Sequence, residues 1–135
     1  MQKKEALRLG QLIDQLQQCK EKDEDGEIYP VVFDFCHATP LQLYSWRGLY
    51  NHLCIDYEFV RKEEKYVRLS QMVARLKEAL TPNASFEGWK GGQFTMNPDI
   101  PVWVDKPREV TYTGITKVTQ EDFYIIIHTA HIPEW

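Results

Sequence analysis

The chain has 135 residues, 16 basic and 20 acidic side chains, and a net charge of -4. That length suits one domain, and the charge lacks the basic surplus that a binder of double-stranded nucleic acid needs. Hydrophobic residues at 43% and aromatics at 13% exclude a disordered chain and indicate a real core. Three cysteines at unpatterned spacings read as free thiols of a reducing compartment. A charged start and the lack of an apolar run of about 18 residues argue against a secretion signal and a membrane span.

In chain order, Leu9, Leu12, Ile13, Leu16 and Cys19 step by three and four, which predicts a helix over 4–20. Asp25-Gly26 then marks a turn. Ile28–Cys36 reads as a strand carrying Pro30 at its start, and 37–48 as a loop. Tyr50–Val60 alternates apolar and polar residues as a half-buried strand does. Tyr66, Leu69, Val73, Leu76 and Leu80 predict a second helix over 64–80, stopped by Thr81-Pro82-Asn83. A glycine-containing loop, 82–99, follows. Three strands close the chain: Val102–Val104, Val110–Val118 and Phe123–Thr129. Gln120-Glu121-Asp122 is the hairpin link between the last two. The fold class is α+β, a single domain over 1–135 in the order αββαβββ. Two helices pack on a mainly antiparallel sheet of about five strands. No internal repeat is evident.

Catalytic patterns are thin. Cys36-His37 and His128/His131 are poorly spaced to share one ion, and a zinc site needs three or four convergent ligands, so no metal and no cofactor is expected. Cys36 or Cys54 beside a histidine has no signature that would mark a nucleophile. Asp34, inside an apolar run, must be paired or exposed.

Two segments concentrate binding chemistry. The first holds Tyr44, Ser45, Trp46, Arg47, Gly48 and Tyr50, a guanidinium among aromatics. Its planar donor fork grips phosphate or carboxylate, and glycine permits close approach. The second holds Glu87, Trp89, Lys90, Gly91, Gly92 and Phe94, where successive free N–H groups form an anion-binding concavity. Together they suit a flat anionic ligand if they converge. The competing reading is structural: aromatics plugging the sheet's open end, with Arg47 paired to Glu87. Ile100–Val104 is either a core strand with Trp103 buried or a pocket wall.

The strings Val31–Phe35, Ser45–Tyr50, Phe86–Met96 and Ile100–Val104 resemble small uncharacterised proteins encoded by tailed phages. Arg47, Gly48, Tyr50, Glu87, Gly88, Lys90, Gly91 and Gly92 carry the match. Trp46 and Trp89 depart from it, standing where smaller aromatics are usual, and so does Arg8, where a helix-capping hydroxyl is usual. The resemblance implies expression in the cytoplasm of an infected bacterium and a role in binding something the host needs, such as a nucleotide-derived immune signal. Three functions follow in order: sequestration of a small anionic, nucleotide-like ligand; inhibition of a host protein; and nucleotide hydrolysis. In the second, the acidic run Glu21–Glu27 meets a basic surface. In the third, Glu87 or a histidine acts as base. The aromatic surplus is compatible with a homo-oligomer.

Overall fold

The computed structural model describes residues 5–35, 38–45, 53–59, 66–81, 86–87, 93–94, 96–104, 113–121 and 123–132. Helix α1 spans Leu9–Gln17 and α2 spans Leu69–Glu78. The strands are β1 (Val31–Phe33), β2 (Ala38–Ser45), β3 (Leu53–Phe59), β4 (Phe86–Glu87), β5 (Gln93–Phe94), β6 (Val102–Val104), β7 (Thr113–Gln120) and β8 (Ile125–His131).

The class is α+β, but the sheet is larger and more mixed than the periodicity suggests. Among the described residues six strands run in the order β1-β8-β7-β6-β3-β2. Two pairings, β1 with β8 and β3 with β6, are parallel. The stretch 37–48, expected as loop, contributes β2. The loop expected over 82–99 contains the β4–β5 ribbon. Both helices start later than predicted, because the residues before each are extended and pair with strands.

The chain is two similar halves, which corrects the expectation of no repeat. Each runs helix, short hairpin, three strands. Arg8-Leu9-Gly10-Gln11-Leu12-Ile13 in the first half answers to Arg68-Leu69-Ser70-Gln71-Met72-Val73 in the second. At both helix starts the glutamine side chain accepts the arginine's backbone N–H, Gln11 from Arg8 at 2.8 Å and Gln71 from Arg68 at 3.1 Å. This is the glutamine arm of a capping box without its hydroxyl partner. The helices bury matching faces, Leu9, Leu12 and Leu16 against Leu69, Met72 and Leu76.

The strands repeat the equivalence. Val31–Phe33 lies parallel to Ile125–Ile127, and Val102–Val104 parallel to Leu53–Ile55. Thus the third strand of each half pairs with the first strand of the other. Ile125 N–H donates to Pro30 O at 3.0 Å, and Leu53 N–H donates to Pro101 O at 3.2 Å. The β2–β3 and β7–β8 hairpins both carry a register shift, between Pro40 and Leu43 and between Ile115 and Lys117.

The residue before each N-cap wedges into the other half. Leu7 accepts from Val102 N–H at 3.1 Å and donates to Ile115 O at 2.6 Å. Val67 accepts from Val31 N–H at 3.1 Å. Its own N–H donates to the Thr39 hydroxyl at 3.0 Å, and that hydroxyl donates to Val31 O at 2.9 Å. Thr39 is buried, so these bonds form away from water. They draw the two edge strands, β1 and β2, together and nearly close the sheet into a barrel.

The inner face gathers Val31, Phe33, Leu53, Ile55, Val102, Val104, Ile115, Ile125 and Ile127 with both helices. A smaller outer cluster joins Ala6, Cys54, Trp103 and Ile132. Gly114 lies opposite Trp103 in the β6–β7 pair. A Cβ there would come within 2.9 Å of Ala6 and 3.0 Å of Ile132, so the glycine makes room for this second layer.

Thr39→Val preserves shape but strands the buried Val31 carbonyl and Val67 amide. It should lower stability by about 1–3 kcal/mol, with Thr39→Ser near wild type, as measured by urea unfolding. Equal midpoints for the two variants would show that the hydroxyl contributes nothing.

Candidate functional site

The two cation–aromatic segments sit at equivalent kinds of position, each on the connection of a strand pair. Trp46, Arg47, Gly48 and Tyr50 lie on the connection from β2 to β3. Trp89, Lys90, Gly91 and Gly92 lie on the connection from β4 to β5. All eight fall outside the described residues, as does any pairing of Arg47 with Glu87. Their flanks are described. Tyr44 and Ser45 end β2, opposite Cys54 and Leu53. Glu87 pairs with Gln93 in the ribbon, and Phe94 pairs with Phe86.

Two backbone contacts link the elements that carry these flanks. Strand β4 lies against β2, with Cα atoms within 8 Å. Beyond β5, residues 96–101 lead into β6, whose Val102 is the partner of Leu53, the first residue after the 46–52 connection. The Leu53 N–H donating to Pro101 O ties that junction. Within β2, the shift between Pro40 and Leu43 is spanned by Asp56, whose carboxylate accepts the Gln42 N–H at 2.6 Å. An extra residue at such a place bends the strand and redirects the side chains after it.

Other sequence candidates resolve as structure. Trp103 is fully buried in the outer cluster and is a core residue. Asp34 is exposed and paired, accepting the Thr129 hydroxyl at 2.7 Å and the Thr129 N–H at 2.9 Å. His128 Nε2 lies 2.7 Å from the Thr119 hydroxyl, and His131 is exposed. Neither Cys19 nor Cys54 is in a disulfide, and burial pushes the Cys19 thiol upward. Among the described residues no three His, Cys, Asp or Glu side chains gather as a metal site. No helix among them is long and apolar enough to cross a membrane. Cys36, His37 and His52 lie outside the described residues.

The repeat gives the candidate region a counterpart that sequence reasoning missed. In the first half, the hairpin bridged by Lys22 and Ile28 occupies the place of β4–β5. The β7–β8 turn corresponds in element order to the link between β2 and β3. The two are held side by side, with Lys20 N–H donating to Gln120 Oε1 at 3.0 Å and Gln120 Nε2 donating to Lys20 O at 2.7 Å. The hairpin is folded by Asp23, whose Oδ1 accepts the N–H groups of Asp25 and Glu27, and by Gly26 at φ 84°. The counterpart is acidic through Glu24, Asp25, Glu27 and Glu121. It also exposes Phe123 to 76%. For the candidate segments the sequence supplies Arg47 and Lys90 instead.

The helix starts are capped across the halves as well. For α1, Leu9 and Gly10 N–H groups donate to Ile100 O and Pro98 O at 2.8 and 2.9 Å. For α2, one carboxylate oxygen of Glu21 accepts both the Ser70 hydroxyl, at 2.5 Å, and the Ser70 N–H, at 3.1 Å. A remote acid thus supplies the anion that a helix N-terminus favours and that Arg68 cannot provide. The chain matches no protein-family model, no curated protein and no solved structure.

The Ser70 hydrogen bonds, the hydroxyl's first, hold the Glu21 carboxyl below the ordinary carboxylate range. A depressed folded-state pKa means stabilisation that is full above the unfolded value and lost as pH falls through the folded one. Wild type should therefore exceed Glu21→Gln in Tm at pH 7, and the gap should close on acidification below the ordinary glutamate range. A gap constant down to acid pH would remove the charge from this cap.

Proposed function

We propose that the chain is a non-enzymatic binding protein that sequesters a small anionic, nucleotide-like ligand in the cytoplasm of a phage-infected bacterium. The observation that carries this reading is the seating of β4 against β2. Strand β2 leads into the first cation–aromatic connection and β4 into the second, and this contact supports taking the two connections to converge. In this reading Arg47 and Lys90 hold the ligand's charged groups. Tyr44, Trp46, Tyr50, Trp89 and Phe94 supply stacking faces, while Ser45 and Glu87 bond its polar edge. Gly48 lets the backbone approach, and Gly91 and Gly92 donate backbone N–H groups.

A second reading, a protein–protein inhibitor, draws on a different place. Phe123, exposed at the tip of the β7–β8 turn beside the acidic hairpin, is an aromatic anchor with a charged rim. A basic host surface would complement it.

Thermal shift separates the two. Mono-, di- and cyclic nucleotides and NAD derivatives are screened against wild type and Arg47→Ala. A ligand at a hundred times its dissociation constant stabilises by about 2.7 kcal/mol. The expected result is a rise in Tm with one ligand class that Arg47→Ala loses while keeping its unliganded Tm. A shift retained in Arg47→Ala would remove that residue from the site. No shift with any compound would overturn the sequestering reading in favour of the inhibitor.

A further inference from the structure

The contacts that seal the sheet run between the halves, and each half leaves a strand edge that only another half covers. The first half, 5–59, presents β3 to β6 and β1 to β8. Its Leu7 seats on Val102 and Ile115, and its helix start rests on Ile100 and Pro98. The second half, 66–132, returns the same contacts. Its Val67 seats on Val31 and Thr39, and its Ser70 rests on Glu21. Helix α1 packs on α2. Nothing in these bonds depends on the two halves belonging to one chain. The covalent tie is the stretch 60–65, which spans at most about 20 Å.

We propose that the partner this surface fits is a second copy of the chain, through exchange of halves. The first half of one copy closes on the second half of the other, and the remaining halves close likewise. Every hydrogen bond above is then remade between chains, so the closed and exchanged forms differ in free energy only through the connection and the entropy of association. A short connection gives the intramolecular partner an effective concentration in the millimolar range. Dilute folding therefore favours the monomer, and concentrated refolding or a shortened connection favours the exchanged dimer.

Exchange also has a consequence for the candidate site, and this step rests on the reading given under Proposed function. The 46–52 connection belongs to the first half and the β4–β5 ribbon to the second. In the exchanged dimer each site is completed in trans, with Arg47 from one chain and Lys90 from its partner.

The full chain is refolded from denaturant at micromolar and at near-millimolar concentration, then sized by light scattering after gel filtration. A variant lacking residues 60–65 is treated in the same way. The expected result is a dimer with the monomer's circular dichroism in concentrated refolding, and dimer alone from the deletion variant. Monomer at every concentration, with an unfolded or monomeric deletion variant, would overturn the proposal. The site is read separately. Arg47→Ala and Lys90→Ala are refolded alone and together at high concentration, and probed with the nucleotide that shifts wild type. Restored binding only in the joint refolding supports completion in trans. Dimers of both variants that never regain binding together would overturn that step while leaving the exchange itself standing. Failure of wild type to bind any nucleotide would count against the ligand reading and not against the dimer, which sizing decides.

Discussion

Two residues that are neither helical nor part of a long strand hold the architecture. Leu7 and Val67 each place their own N–H and C=O in the gap between the first and second strands of the opposite half. A buried backbone group left without a partner costs roughly 1–3 kcal/mol, so such a gap in a sheet has to be filled by hydrogen-bonding chain. Leu7 fills one gap by bonding two main-chain groups. Val67 fills the other with one main-chain bond and one bond to the Thr39 hydroxyl. The small difference decides the outline of the sheet. Where Leu7 sits, β6 and β7 remain a hydrogen-bonded pair. Where Val67 sits, the two strand edges meet through the threonine, and a side chain brings the sheet close to a barrel.

The placement of the candidate site follows from this interlock. Because the third strand of each half runs parallel to the first strand of the other, the connection after β2 returns to the chain beside the start of β6. The ribbon that precedes β6 is thereby carried to β2. Its counterpart is carried to the β7–β8 turn by the same geometry, and there Lys20 and Gln120 join the two. The two halves thus offer corners that correspond in chain order. For one, the sequence supplies arginine, lysine, glycine and aromatic residues. The other is built from acidic residues and an exposed phenylalanine. The difference in charge is what separates their candidate partners.

Part of this was legible beforehand. The stripes Leu9-Leu12-Ile13-Leu16 and Leu69-Leu76 place both helices, Asp25-Gly26 marks its turn, and Val102–Val104 is a strand with Trp103 inside. The helix ends were not legible, because Arg8 and Arg68 carry no capping hydroxyl and the preceding residues are drawn into distant strands. Strand β2 was hidden by Pro40 and by a register shift that breaks its alternation, and only its pairing with β3 makes it a strand. The repeat was hidden by spacing. Arg68 stands 60 residues after Arg8, but Val102 stands 71 after Val31, because the second half carries the longer hairpin. The composition of the candidate site was visible at once. The adjacency of β4 and β2 depends on parallel pairing between residues far apart in the chain, which no local pattern encodes.

The interlock is tested most directly by native-state amide hydrogen exchange resolved by residue. If Leu7 and Val67 hold the halves together, the amides of Leu7, Val31, Leu53, Val67, Val102 and Ile125 exchange only through global unfolding. Their protection should then match the stability measured by denaturant. If the amides at one junction, such as Val31, Val67 and Ile125, exchange through a cheaper partial opening while those at the other stay protected, the halves are not mutually required and the account is wrong.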